Sequence, residues 1–108
     1  MDTPATADAP DFAERVLATL RAHEAELRAA GIRGLSLFGS VARGEDRAGS
    51  DVDLAAELDP GAGIGLFALA ALELRLVKLV GRPVDLLDEP AEKQRLRDNI
   101  ERDRIRAF

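Results

Sequence analysis

The sequence has no cysteine. That excludes a disulfide framework, a thiolate metal site and a cysteine nucleophile, and it fits a reducing compartment. Histidine is nearly missing as well, with His23 the single one. It fills a gap in an apolar stripe between Leu20 and Leu27, which predicts a half-buried packing residue rather than a catalytic base. No long hydrophobic run occurs. The most apolar stretch, Ile64 to Leu72, is followed by Glu73, Arg75 and Lys78, whereas a membrane span needs about 20 apolar residues. An excess of positive charge is also lacking: Lys plus Arg is 15, Asp plus Glu is 20, and the net charge is −5. An acidic surface repels polyphosphate backbones, so no direct nucleic-acid binding is expected. Handling a nucleotide would require metal ions or a local basic patch. Residues 1–10 lack the basic start and apolar run of a signal peptide and read as a disordered tail. The rest, residues 11–108, is one domain's worth of chain, expected to be soluble and cytoplasmic.

What is present has clear periodicity. A helix is predicted from Asp11 to Gly31, capped by Asp11, with Phe12, Val16, Leu20 and Leu27 on one face. Gly31 suits its end. "GLSLFG" and "DVDLAAEL" read as strands, and "DPGAG" as a turn. A second helix follows over Ile64 to Gly81. "RPVDLLD" is a third strand with Pro83 at its start, "EPAEKQRLRDNIERD" a third helix of mixed charge, and "IRAF" a short last strand. The order predicts an α+β two-layer fold, a mixed β-sheet with helices packed on it. Leu66, Phe67, Leu69, Ala70 and Leu72 cannot all face one core at helical spacing. Part of that run is therefore expected at the surface, open to a partner or to a second copy.

The chemistry concentrates in "LFGSVARGEDRAGSDVDLAAEL", Leu37 to Leu58. Asp51 and Asp53 lie two apart at a strand start, so both side chains leave one face. Carboxylates so placed repel and raise each other's pKa unless something cationic lies between them. A hard cation such as Mg²⁺ is the natural counter-charge, and it often completes its shell with substrate phosphates. Gly39 lets the backbone approach a ligand closely, Ser40 offers a hydroxyl and an N–H, and successive loop N–H groups cradle anions. Asp85, an acid inside the apolar "PVDLL", can supply a third carboxylate if its strand pairs beside the second one. Asp88 and Glu89 at that strand's exit read as solvated. Arg43 can neutralise phosphate charge, or else pair with Glu45 or Asp46 at the surface. Lys93, Arg95 and Arg97 alternate with acids and read as a solvated face.

Two other readings fail. "GSVARG" has P-loop glycine spacing, but Glu45 and Asp46 stand where Lys and Ser/Thr are required. "DVDLAAELDPGA" begins like a calcium loop, but Ala55, Ala56 and Ala62 replace a ligand, the turn glycine and the bidentate acid.

Gly-Ser, ten residues and Asp-x-Asp, as in Gly39 to Asp53, resembles the signature of the polymerase-beta-like nucleotidyltransferases. Ala42-Arg43-Gly44, Ser50 and the Val84-Asp85-Leu86 context match small prokaryotic members. The chain is similar to the minimal nucleotidyltransferases. The resemblance implies that Asp51, Asp53 and Asp85 are catalytic and hold two Mg²⁺ ions, and that Gly39, Ser40 and Arg43 bind ATP. It also implies transfer of AMP to a hydroxyl, often a tyrosine of a partner HEPN-domain RNase toxin, with the chain acting as antitoxin. An antitoxin that works mainly by direct binding is the alternative. An antibiotic-modifying enzyme would need an acceptor-binding domain, and a polymerase would need a template surface. No departure from the catalytic pattern is visible, so an active enzyme is expected, in a homo- or hetero-oligomer.

Overall fold

The computed structural model describes residues 11–108. The tail expected at 1–10 lies outside the described residues. Helix α1, Phe12–Ala22, starts as predicted: the Asp11 carboxylate accepts from the Glu14 N–H, and the Glu14 side chain accepts from the Asp11 N–H. This reciprocal cap satisfies two of the unpaired donors at a helix start. The single helix expected up to Gly31 is instead broken at His23, and α2, Glu24–Ala29, follows. The His23 ring nitrogen Nδ1 lies 2.9 Å from the Thr19 carbonyl, the group its own amide would otherwise use. That amide turns to Leu20 instead. His23 is half-buried at this break.

Strand β1, Ile32–Phe38, leads into α3, Gly39–Ala42. Strand β2, Val52–Leu58, is followed by a 3₁₀ turn at Pro60–Ala62 and by α4, Leu66–Val80. Gly81 closes α4 in the left-handed region at φ 77°. Then come β3, Val84–Asp88, α5, Gln94–Asp103, and β4, Ile105–Arg106. The strands form one sheet in the order β3-β2-β1-β4. Strand β1 is antiparallel to β2 and β4, while β2 and β3 are parallel. A parallel pair needs a crossover, which α4 provides.

The period of two divides the strands cleanly. Leu35, Leu37, Val52, Leu54, Val84 and Leu86 face α1, α2 and α4, meeting Val16, Leu20, Leu27, Leu72 and Leu76. Phe38, Ala55 and Leu87 face the opposite way, against Ala91 and the α5 residues Leu96 and Ile100. Asp53 and Asp85 stand two residues before Ala55 and Leu87, so they share this second face.

Helix α5 starts at Gln94, later than expected, and Glu89 is not a solvated strand-end charge. Its carboxylate pairs with the Arg104 guanidinium at 2.6 Å, and Arg104 also donates to the Ser36 hydroxyl at 2.9 Å. Ser36 is a buried polar group in a core strand and needs a partner. Arg104 supplies one, and Glu89 balances its charge. On the outer strand β3, the Leu86 N–H donates to the Glu73 carboxylate of α4 at 3.0 Å.

The apolar run of α4 divides as its spacing requires. Leu72 and Leu76 are buried, while Phe67 is 90% and Leu74 65% exposed. Among the described residues no helix is long and apolar enough to cross a membrane. Leu76→Ala should therefore cost about 2–5 kcal/mol of unfolding free energy, and Leu74→Ala under ~0.5 kcal/mol. Urea denaturation of the two variants measures the difference. Equal losses would contradict this division of the helix.

Candidate active site

The cleft forms where β1 ends. Gly39 adopts φ +78°, which lets the chain leave the strand and start α3 at once. The tight Gly-Ser turn expected from the sequence is the first turn of this short helix. A Cβ on Gly39 would collide with the Asp53 carboxylate, so only glycine permits this close approach. In the sheet Asp53 is opposite Phe38 on β1 and opposite Asp85 on β3. The two acids therefore stand side by side.

Gly39, Ser40, Arg43, Asp53 and Asp85 all line one cavity of about 370 Å³. Helix α5 closes its other side with Leu96, Asn99 and Asp103. Asp51 is the exception among the predicted residues. It precedes β2, is exposed and does not line the cavity, although its charge still reaches Asp53. Among the described residues, no three carboxylate or imidazole groups gather tightly enough to form a metal cage by themselves.

The electrostatics are those of crowded acids. Burial raises the Asp53 pKa, and the charges of Asp85 and Asp51 raise it further, while Arg43 opposes them weakly. Arg43 is already engaged. Its Nε donates to Glu45 at 2.9 Å and its Nη1 to Asp103 at 2.7 Å. The expected pairing with Glu45 is present, and the same side chain lines the cavity.

Asp103 was not visible as a site residue. In the sequence it belongs to a helix of mixed charge, yet its side chain is 3% exposed. Hydrogen bonds from Arg102 first, and then from Arg43, hold its carboxyl below the usual range against the opposing effect of burial. One signal was available: Leu96, Asn99, Ile100 and Asp103 fall at i, i+3, i+4 and i+7, one face of a helix. Lys93, Arg95 and Arg97 do not line the cavity. Arg97 donates to the carbonyls of Ala91 and Glu92 at the start of α5.

Residues 20–107 match the nucleotidyltransferase domain family. A protein of Methanocaldococcus jannaschii, provisionally named a protein adenylyltransferase, is 36% identical over 70 residues, covering 65% of this chain and 73% of that protein. A solved structure provisionally described as a minimal nucleotidyltransferase superposes with a TM-score of 0.72 at 35% identity, covering 91% of this chain and 97% of its own. The fold is shared more distantly with a structure of a tri-AMPylated Shewanella oneidensis HEPN toxin in complex with its MNT antitoxin. There the TM-score is 0.62 at 18% identity, covering 85% and 71% of the two chains.

The raised Asp53 pKa has a defined consequence for stability. The carboxyl titrates higher in the folded chain than its ordinary 3.8, so its ionisation opposes folding. Its contribution favours the fold at low pH and is lost as pH rises through the folded value. Asp53→Asn should therefore melt at or above wild type at about pH 7, with the gap closing below about pH 3, where the carboxyl is neutral in the folded and the unfolded chain alike. Thermal melts across that range measure it. A variant that melts lower at neutral pH would argue against a repelling, half-buried acid.

Proposed function

The chain belongs to the nucleotidyltransferase domain family, and on that premise we propose that it moves AMP from ATP to a hydroxyl of a partner protein. The acceptor we propose is a tyrosine of a HEPN-domain RNase toxin, with neutralisation of the toxin as the result. One observation carries the reading: Asp53 and Asp85 stand in register in the cleft that Gly39 and Ser40 border. The adenylyltransferase name of the Methanocaldococcus jannaschii relative supports the nucleotide. The HEPN complex that shares the fold supports the kind of partner. None of the 108 residues is tyrosine, so a tyrosine acceptor lies outside them.

The donor set fits a hard divalent cation. It is all oxygen, and Arg43, the one cationic side chain lining the cavity among the described residues, is already paired twice. Asp51, Asp53 and Asp85 would hold two Mg²⁺ ions, which when bound supply charge neutralisation at the phosphates and a more acidic acceptor hydroxyl. Gly39 and Ser40 would receive the terminal phosphates, and Arg43 would add positive charge beside them. The acceptor oxygen forms a bond to the α-phosphorus, the bond to the bridging oxygen breaks, and pyrophosphate leaves. The hydroxyl proton passes to water.

Incubation with α-labelled ATP, Mg²⁺ and a HEPN-domain acceptor should label a tyrosine of the acceptor. Chelation should abolish the labelling, and Asp53→Asn should reduce it by at least about 100-fold, the scale of losing one essential electrostatic group. Transfer by Asp53→Asn at a near wild-type rate would remove the assignment. Neutralisation of the toxin without any labelling would move the reading to an antitoxin acting by contact.

A further inference from the structure

Arg82 takes part in none of the chemistry assigned above, yet it is tied to the backbone just before Asp51. Its Nη2 donates to the Ser50 carbonyl at 2.7 Å and to the Arg47 carbonyl at 3.2 Å, and its Nε donates to Ser50 at 3.2 Å. Its guanidinium stacks on the Phe12 ring of α1, 4.4 Å from the centroid. The Ser50 carbonyl belongs to the peptide bond that leads into Asp51. On the other side of Asp51, the Val52 N–H donates to the Pro83 carbonyl at 2.8 Å. Residues 82 and 83 therefore grip the chain on both sides of Asp51.

That grip matters because of what precedes it. Gly44 and Gly49 both have positive φ, and the approach to β2 has little other structure. Ser50 helps only locally, accepting the Arg47 N–H on its hydroxyl and donating its own N–H to the Arg47 carbonyl. Asp51 itself lies ahead of the sheet's register. A planar guanidinium can reach two carbonyls and lie flat on a ring at once, and an ammonium cannot.

We propose that Arg82 is a positioning residue: by clamping the Ser50 and Arg47 carbonyls it fixes the backbone of Asp51, exposed just ahead of β2, so that its carboxylate can join a cation held by Asp53 and Asp85. This rests on the reading of Asp51 as a metal ligand given above. The test is Mn²⁺ binding, followed by electron paramagnetic resonance in the presence of a non-hydrolysable ATP analogue. Variants Arg82→Gln, Arg82→Lys and Asp53→Asn are compared with Arg75→Ala, which breaks a surface pair with Glu26 away from the cleft. Folding is checked by thermal melts. Folded Arg82→Gln and Arg82→Lys should each bind Mn²⁺ about 10–100-fold more weakly, the usual effect of losing an outer support of a metal ligand. Arg75→Ala should bind as wild type. Rescue by lysine would mean that charge and not geometry acts, and would overturn the proposal, as would undiminished binding in folded Arg82→Gln. If Asp53→Asn also binds Mn²⁺ normally, the metal reading fails. If Asp53→Asn alone weakens binding, only the role of Arg82 fails. Should Arg82→Gln not fold, Arg82→Lys, which keeps the stem over Phe12, carries the test.

Discussion

Two carboxylates stand side by side because β2 and β3 pair in parallel with Asp53 opposite Asp85. The cleft depends on this register. A slip of one residue would turn Asp85 toward the face of Val84 and Leu86 and push a charge into the apolar cluster under α1, α2 and α4. The same slip would bring Val84 and Leu86 out beneath α5. Packing on both faces therefore opposes any slip, and the repulsion between the acids is borne by a frame that cannot relax it. The order β3-β2-β1-β4 then places Phe38 on the other flank of Asp53, and the chain must turn at Gly39 directly above the carboxylate.

The arginines around the cleft are held in pairs. Arg43 is shared between Glu45 and Asp103, Arg104 between Glu89 and Ser36, and Arg82 between two carbonyls and the Phe12 ring. None of them sits between Asp53 and Asp85 as a fixed counter-ion. In the proposed function this leaves the negative charge for cations that arrive from outside. Helix α5 is fixed to the sheet at its far end by Arg104, and its residue Asp103 holds Arg43, which follows α3 directly. Two elements that border the cleft are thus joined through one buried carboxylate.

Much of this was legible in the sequence where the signal is local. "DVDLAAEL" and "RPVDLLD" read as strands, Asp85 was expected beside Asp53 if the two strands paired, and the tight turn was expected at Gly39 and Ser40. The partition of α4 followed from counting apolar residues around a helix. What stayed hidden was pairing between distant residues. Arg104 reaches Ser36 across 68 positions and Arg43 reaches Asp103 across 60. Nothing in "IERDRIRAF" separates a buried acid from a solvated one when charges of both signs alternate. The break at His23 was hidden for a related reason, since the ring competes with the chain's own amide for a carbonyl. Asp51 is the opposite case: it was the easiest residue to pick out by pattern, yet it lies furthest from the cavity among those chosen.

The carboxylate of Glu73 on the Leu86 N–H has a consequence for association. An outer strand presents donors and acceptors that another chain can extend into a longer sheet, the first step of edge-to-edge aggregation. Here the molecule's own helix already occupies one of those donors. A stray strand arriving at β3 would have to displace Glu73 and come up beside Asp85 and Asp88. The acidic rim thus guards a sticky edge, and growth by strand addition is opposed at the place where the sheet would otherwise be most open to it.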